Sequence, residues 1–447
     1  MDGTTQHRLP PGIQHAFLFA AFNALSFQVM LGSPMVLYAK SLGASATVLG
    51  IIAGMMPLLV ISQIPAARHI PRIGYKRFVY AGWGLRVLFI FVIALVPLAT
   101  FLDAGNRLAL LIGLLFCFNL SRGISSCAWL PWITGLVPEG VRGRYLAIDA
   151  AVVNAGGIVA LWLCAGLLAS EPAAWRFTAV FGFSAVMGAV SLSFLKRIPD
   201  VPVPQEPEGA GRVPWLEIFR HPPFQKLLRV FVAWSLAYGG LTAFTVAFLK
   251  SRAGLAEGEI LLITSVAFFG GLSSLWFIGP RLDRLGSKPV LTMVGLGWLL
   301  VLAGWVALAG GRLPVTLGPV LALQFLMGLL AALASMACSR LVMAIVPVMG
   351  RNHFFALYSV AGNVTLGLAP IAWGLLIDAV GERRAHWLGL EWNRYTVFYA
   401  AAALAFGLML ALVRRLSEPQ AVSMEAMLRE LLVRSPQKFL LRLWPRS

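Results

Sequence analysis

The segment Pro138-Glu-Gly-Val-Arg142-Gly-Arg-Tyr-Leu-Ala147-Ile is echoed 209 residues later by Pro347-Val-Met-Gly-Arg351-Asn-His-Phe-Phe-Ala356-Leu. Proline, arginine, an aromatic and alanine coincide, and the register still holds further on, where Asn154 matches Asn363. A second echo pairs His69-Ile-Pro-Arg72-Ile-Gly74-Tyr-Lys76 with Arg281-Leu-Asp-Arg284-Leu-Gly286-Ser-Lys288, at an offset of 212. Two matches at nearly one offset mark the chain as a duplicated unit.

The surrounding sequence shows what is duplicated. The 447 residues are 59% hydrophobic and only 12% charged, against about 25% charged in a soluble domain. Ten stretches lack Asp, Glu, Lys and Arg over the roughly 18 residues that a membrane-crossing helix needs. They are Leu9–Ala39, Ser41–Ala67, Ala150–Ser170, Phe177–Leu195, Val230–Leu249, Ile260–Pro280, Pro289–Gly311, Leu313–Ser339, Asn352–Ile377 and Tyr395–Val413. Two more, Phe78–Leu102 and Leu108–Pro138, hold one arginine each, Arg86 and Arg122. The expected fold is therefore all-α and polytopic, with twelve transmembrane helices in two pseudo-symmetric halves of six. A β-barrel would show short alternating segments instead. The 44 glycines suit closely packed membrane helices.

The expected organisation is a six-helix bundle over 1–195, a linker over 196–225, a second bundle over 226–415 and a tail over 416–447. The linker contains the proline- and glycine-rich run PDVPVPQEPEGAGR, which reads as solvated. In the tail, Met424, Met427, Leu428, Leu431 and Leu432 recur at helical spacing among Arg429, Arg434, Lys438 and Arg442. That pattern fits an amphipathic helix lying on anionic lipid.

The net charge of +18 does not point to nucleic acid, because the basic residues sit in short loops and the tail. With the N-terminus inside, 24 Lys and Arg fall on the cytoplasmic side and nine on the other. This bias places both termini in the cytoplasm of a cell (inner) membrane. The first apolar run is too long for a signal-peptide core and reads as a retained span. Cys117, Cys127, Cys164 and Cys338 lie in apolar runs with no CxxC, so they read as small buried hydrophobes. The histidines fall at or beyond span ends, and no HExxH, GxSxG or Walker A sequence occurs. No enzyme site, metal or cofactor is expected, and the chain is expected to act as a monomer.

The segment Gly279-Pro-Arg-Leu-Asp283-Arg284-Leu-Gly286-Ser-Lys288 resembles the signature loop of the major facilitator superfamily, roughly G-x-x-x-D-R-x-G-[RK]-[RK]. The 6+6 layout and the central linker resemble that family as well. In the first copy Pro71 stands where the family usually has aspartate, and Ala67 where it has glycine. The resemblance implies transport by alternating access, with a site between the halves lined by spans one, four, seven and ten. It also implies that Asp283 and Arg284 belong to a clasp that steadies one of two conformations. Gly286 would provide its sharp turn, and Arg340, at the end of span ten, is a candidate partner for Asp283.

A charge in the hydrocarbon core is expensive and usually functional. Arg122, near the middle of span four, is the leading candidate to hold a carboxylate or phosphate of the substrate, since a guanidinium offers paired donors. Its structural alternative is an ion pair with Asp149. Asp149 could itself carry a coupled proton. Arg86 is a further candidate that could instead snorkel toward the cytoplasm. The uncharged candidates are Asn23, Gln28, Asn154, Tyr238, Gln324 and Asn363, each with interhelical hydrogen bonding as the plain alternative. Trp129 and Trp132 read as belt aromatics at the interface.

Three functions compete at this point. The first is a secondary transporter of a small anionic or zwitterionic solute, with a proton as coupling ion. The second is an efflux permease for drugs or amphiphiles. The third is a transporter-like scaffold that moves nothing.

Overall fold

In the computed structural model of the protein, residues 10–169, 173–203, 221–277, 286–345 and 351–416 are described. Eleven helices among them are long and apolar enough to cross a membrane. The expected eighth span is present as the helix Glu257–Phe277, whose residues 260–277 carry no charged side chain. The linker run 204–220, the loop 278–285 with Asp283 and Arg284, and the tail from 417 lie outside the described residues.

The helices are apolar all round, as expected for elements that face lipid on one side and protein on the other. Leu88, Leu95, Leu300 and Leu404 point outward and are more than half exposed. The chain begins, and crosses from one half to the other, at the same end of the bundle, here called the near end. The turns at 42–45 and 252–256 and the connection 381–393 mark the opposite, far end.

The duplication read from the sequence is visible in the packing. In the first half, the first span (Gln14–Ser41) packs on the fifth (Ile148–Leu167) and sixth (Ala174–Leu195), and the third (Tyr75–Leu98) on the fourth (Ala104–Leu136). In the second half, the seventh span (Pro222–Ser251) packs on the eleventh (Phe354–Val380) and twelfth (Arg394–Arg414), and the ninth (Ser287–Ala309) on the tenth (Leu317–Val342). Gly74 and Gly286, paired at the offset of 212, both have φ +85° and start a helix in the same way. That backbone conformation is open to glycine and costly for most other residues.

The halves meet along two seams. The second span (Ala46–Ala67) lies on the eleventh, and the fifth on the helix Glu257–Phe277. Contact at the first seam is close enough to exclude side chains. A Cβ on Gly54 would lie 2.2 Å from the Gly367 carbonyl oxygen, and one on Gly50 2.2 Å from that of Pro370. The named contacts of both seams involve the far-end portions of their helices.

Two expected spans are not continuous. The first divides at Gly32, where helix Gln14–Leu31 ends and Ser33–Ser41 begins with Pro34 in its first turn. The seventh divides at Gly239-Gly240, with Gly240 at φ +83°. The breaks occupy equivalent places in the two halves.

Two further features depart from the sequence reading. The connection between the last two spans holds a hairpin, Ala385–Trp387 paired with Leu390–Trp392. Trp132 is not a belt residue: it is fully buried, and its Nε1 donates to the Pro199 carbonyl at 2.9 Å. Trp129 packs beside it and against Phe19 and Trp83. The near-end core claims both rings because residues 198–203 fold back over them. All four cysteines are free thiols.

Candidate functional site

Two cations stand inside the first half, Arg86 buried and Arg122 half-buried. Arg86 is 1% exposed and donates through Nη2 to Asn23 Oδ1. Trp83 Nε1 donates to the same oxygen at 3.3 Å, and the Arg86 Cζ lies 4.8 Å from the Trp83 ring centre. Arg86 Nε has no partner. Arg86 therefore does not snorkel: aromatic neighbours and Asn23 hold its head inside the bundle.

Arg122 lies on the fourth span with its Cζ 5.0 Å from the ring centre of Phe27 on the first. Neither arginine forms an ion pair among the described residues, where the ion pairs all lie at the far end, as in Lys250–Glu257 at 2.7 Å and Arg394–Glu382 at 2.9 Å. In particular, Asp149 is half-buried and does not pair with Arg122. Two unneutralised guanidinium groups inside a helical bundle cost several kcal/mol each. Charges kept in such a place are usually functional.

A cavity of about 200 Å³ lies between the halves. Its wall includes both helix breaks, Gly32 and Gly239-Gly240, together with Ser33, Asn119 and Pro370. Asn119 is one helical turn from Arg122. Its Nδ2 donates to the Leu115 carbonyl at 2.9 Å, which fixes the amide and turns its oxygen the other way. That Oδ1 is buried and has no partner.

A second cavity of about 400 Å³ is formed by the seventh, tenth and eleventh spans. Ser235, Tyr238, Ser335, Ser339, Ser359 and Asn363 contribute its polar groups, and no charged residue lines it. Tyr238 and Leu366 line both cavities, so the two adjoin. Tyr238 is held by stacking on Trp234, with ring centres 5.2 Å apart and planes within 9°.

The structure assorts the expected residues as follows. Tyr238 faces both cavities and Asn363 the second. Asn154 and Asn363 repeat one local geometry, each Nδ2 donating to the carbonyl four residues back, Ala150 at 2.7 Å and Ser359 at 2.9 Å. Gln28 lies beside the break at Gly32, whose added Cβ would meet its Nε2 at 2.6 Å. Asn23, Asn154, Gln324 and Arg122 line neither cavity, and Gln324 is 4% exposed within the bundle. Arg340 Nη1 donates to Ser287 Oγ at 3.0 Å, beside Gly286, tying the tenth span to the start of the ninth. Its expected partner Asp283, and Arg284, lie outside the described residues. Asn119 and the hydroxyls of Ser335 and Ser359 are absent from the expected set. The one signal for Asn119 was its spacing of three from Arg122.

The family model for the Major Facilitator Superfamily matches residues 16–318 and 246–444. The chain belongs to the Major Facilitator Superfamily. Membership places it among membrane transporters, with the multi-pass helical architecture described above. Solved structures with the same fold include the nucleoside transporter NupG, at 13% identity and TM-score 0.71, covering 91% of this chain and 100% of that one. A D-xylose-proton symporter follows at 16% identity and TM-score 0.66, covering 89% and 97%. A POT family transporter solved with 5-aminolevulinic acid has 14% identity and TM-score 0.65, covering 92% and 97%. No curated protein matches the sequence. As a Major Facilitator Superfamily transporter, the chain carries its unpaired cations in the first half and an uncharged polar cavity in the second.

Proposed function

We propose that this protein is a secondary transporter of a small organic anion, with Arg122 as the residue that attracts the anionic group. The observation that supports this most is the absence of any ion pair, among the described residues, to the half-buried Arg122 and the buried Arg86. The repeat offset of 209 maps Arg122 onto Ala331, which lines the second-half cavity. By that symmetry we assign Arg122 to the first-half side of one shared passage, one helical turn from the cavity wall at Asn119.

The Lys and Arg distribution supports a cytoplasmic near end, so the closed far-end seams would make this the inward-facing state. Rocking of the halves about the cavities would then expose Arg122 to each side in turn. Asp149, half-buried and without an ion-pair partner among the described residues, is the proposed proton carrier.

Reconstitution into proteoliposomes with a panel of labelled anions and an imposed pH gradient tests this reading. The account expects uptake by wild type, loss in Arg122→Ala, and loss of pH-gradient dependence alone in Asp149→Asn. Unchanged uptake in Arg122→Ala overturns the assignment.

One observation favours a second reading, export of amphiphiles. A groove of about 470 Å³ at the seam of the fifth and eighth spans is lined by Trp162, Leu262, Val266 and Phe269. Efflux of a lipophilic cation with no response to anions in the same vesicles would select it.

A further inference from the structure

The proposed anion site has two unlike walls, and their difference restricts the solute. On the first-half side, Arg122 stands one helical turn from Asn119, which lines the cavity between the halves. The second-half wall offers hydroxyls, an amide and aromatic rings with no charge at all. Such a wall has nothing to pair with a second ionic group, and a bare hydrocarbon chain would leave its hydroxyls and amide without partners. Its hydroxyls can each donate and accept. Ser335, Ser339 and Ser359 lie on the tenth and eleventh spans, so their hydroxyls come from two helices rather than one face. Ser335 and Ser339 make no hydrogen bond among the described residues, leaving both free for a ligand. Stacked pairs, Phe231 on Tyr358 at 4.1 Å and Trp234 on Tyr238 at 5.2 Å, present flat surfaces beside these hydroxyls. Across the adjoining cavity, Asn119 Oδ1 adds a buried acceptor without a donor.

From this asymmetry we infer that the substrate is a polyhydroxylated organic anion of sugar-acid type. The inference rests on the assignment of Arg122 to the anion. Arg122 takes the carboxylate or phosphate. The hydroxyl-bearing body lies against Ser335, Ser339 and Tyr238, and one of its hydroxyls donates to Asn119. A site built to hydrogen-bond hydroxyls rejects an analogue that lacks them, because its own polar groups would be left unpaired. The apolar anion of equal length is therefore a poor substrate, and so is the neutral sugar.

The test is uptake of three labelled six-carbon probes, D-gluconate, hexanoate and D-glucose, by wild-type proteoliposomes and by Ser335→Ala/Ser339→Ala. Wild type should take up gluconate far better than either alternative. The double variant should lose about 3- to 10-fold of the gluconate-over-hexanoate preference for each hydroxyl removed. In detergent, gluconate should raise the melting temperature of wild type and raise that of the double variant less, which separates lost recognition from lost folding. Equal uptake of hexanoate and gluconate, abolished by Arg122→Ala, overturns this inference and leaves the anion site standing. Preference for glucose overturns the anion site itself. No uptake and no stabilisation by gluconate in wild type overturns the inference outright.

Discussion

The carboxylate of Asp378 caps the helix that begins beside Thr47 in the other half of the molecule. Its oxygens accept from Thr47 N at 2.8 Å, Thr47 Oγ1 at 2.6 Å and Ala46 N at 3.0 Å. A helix N-terminus carries unsatisfied N–H groups and partial positive charge, and here the eleventh span supplies the acceptor. The bond set exists only while the far-end seam is closed. It acts as a latch between the halves.

Removing the latch favours opening. Asp378→Ala should shift the closed-to-open ratio by about 2- to 30-fold, the range of a lost helix cap. Reaction of Ala53→Cys, in the wall of the cavity behind the seam, with an impermeant thiol reagent in a cysteine-free background should speed up accordingly. An unchanged rate removes the latch.

The seam itself should be intolerant of a methyl group. Gly54→Ala would place a Cβ 2.2 Å from the Gly367 carbonyl oxygen. It should destabilise the closed state by about 1–3 kcal/mol. Gly166→Ala meets nothing within 4 Å, and should be neutral or stabilising by about 0.5–1 kcal/mol. Thermal unfolding in detergent compares the two, and equal behaviour contradicts the close approach.

Arg86 predicts a trade between stability and function. Arg86→Met removes a buried unpaired charge while Trp83 still donates to Asn23 Oδ1. Replacement of buried charges by apolar side chains is commonly neutral or stabilising by about 1–4 kcal/mol. The variant should melt no lower than wild type and transport anions poorly. A lower melting temperature would make Arg86 a structural cation.

Charge alone should not replace Arg122. Arg122→Lys keeps the charge and loses the planar pair of donors. The half-saturating anion concentration should rise about 10- to 100-fold, the range for a hydrogen bond to a charged group. An unchanged value means the residue acts only through its field.

Much of the fold was legible because lipid imposes one rule: spans must be long and apolar. Twelve stretches satisfied it, and the duplicated Pro138 and Pro347 segments gave the symmetry. The breaks at Gly32 and Gly239-Gly240 were not read, since a glycine inside an apolar run looks the same whether it packs or interrupts. Among the candidate residues, Arg122 and Tyr238 stand out in the sequence as polar residues within apolar spans. Ser335 and Ser359 do not, because serine is common at helix contacts and only the fold shows which serines meet an open space. Asp378 was hidden for a different reason: its partner is 331 residues away.

The central claim is that transport requires the two halves to part at the far end. Its most direct test joins them there. Thr47→Cys and Asp378→Cys, in a cysteine-free background, place two thiols where a short bifunctional reagent bridges them. Uptake of whichever anion wild type carries should stop when the bridge forms and return when it is reduced. Uptake that continues at the same rate with the bridge intact would contradict the account.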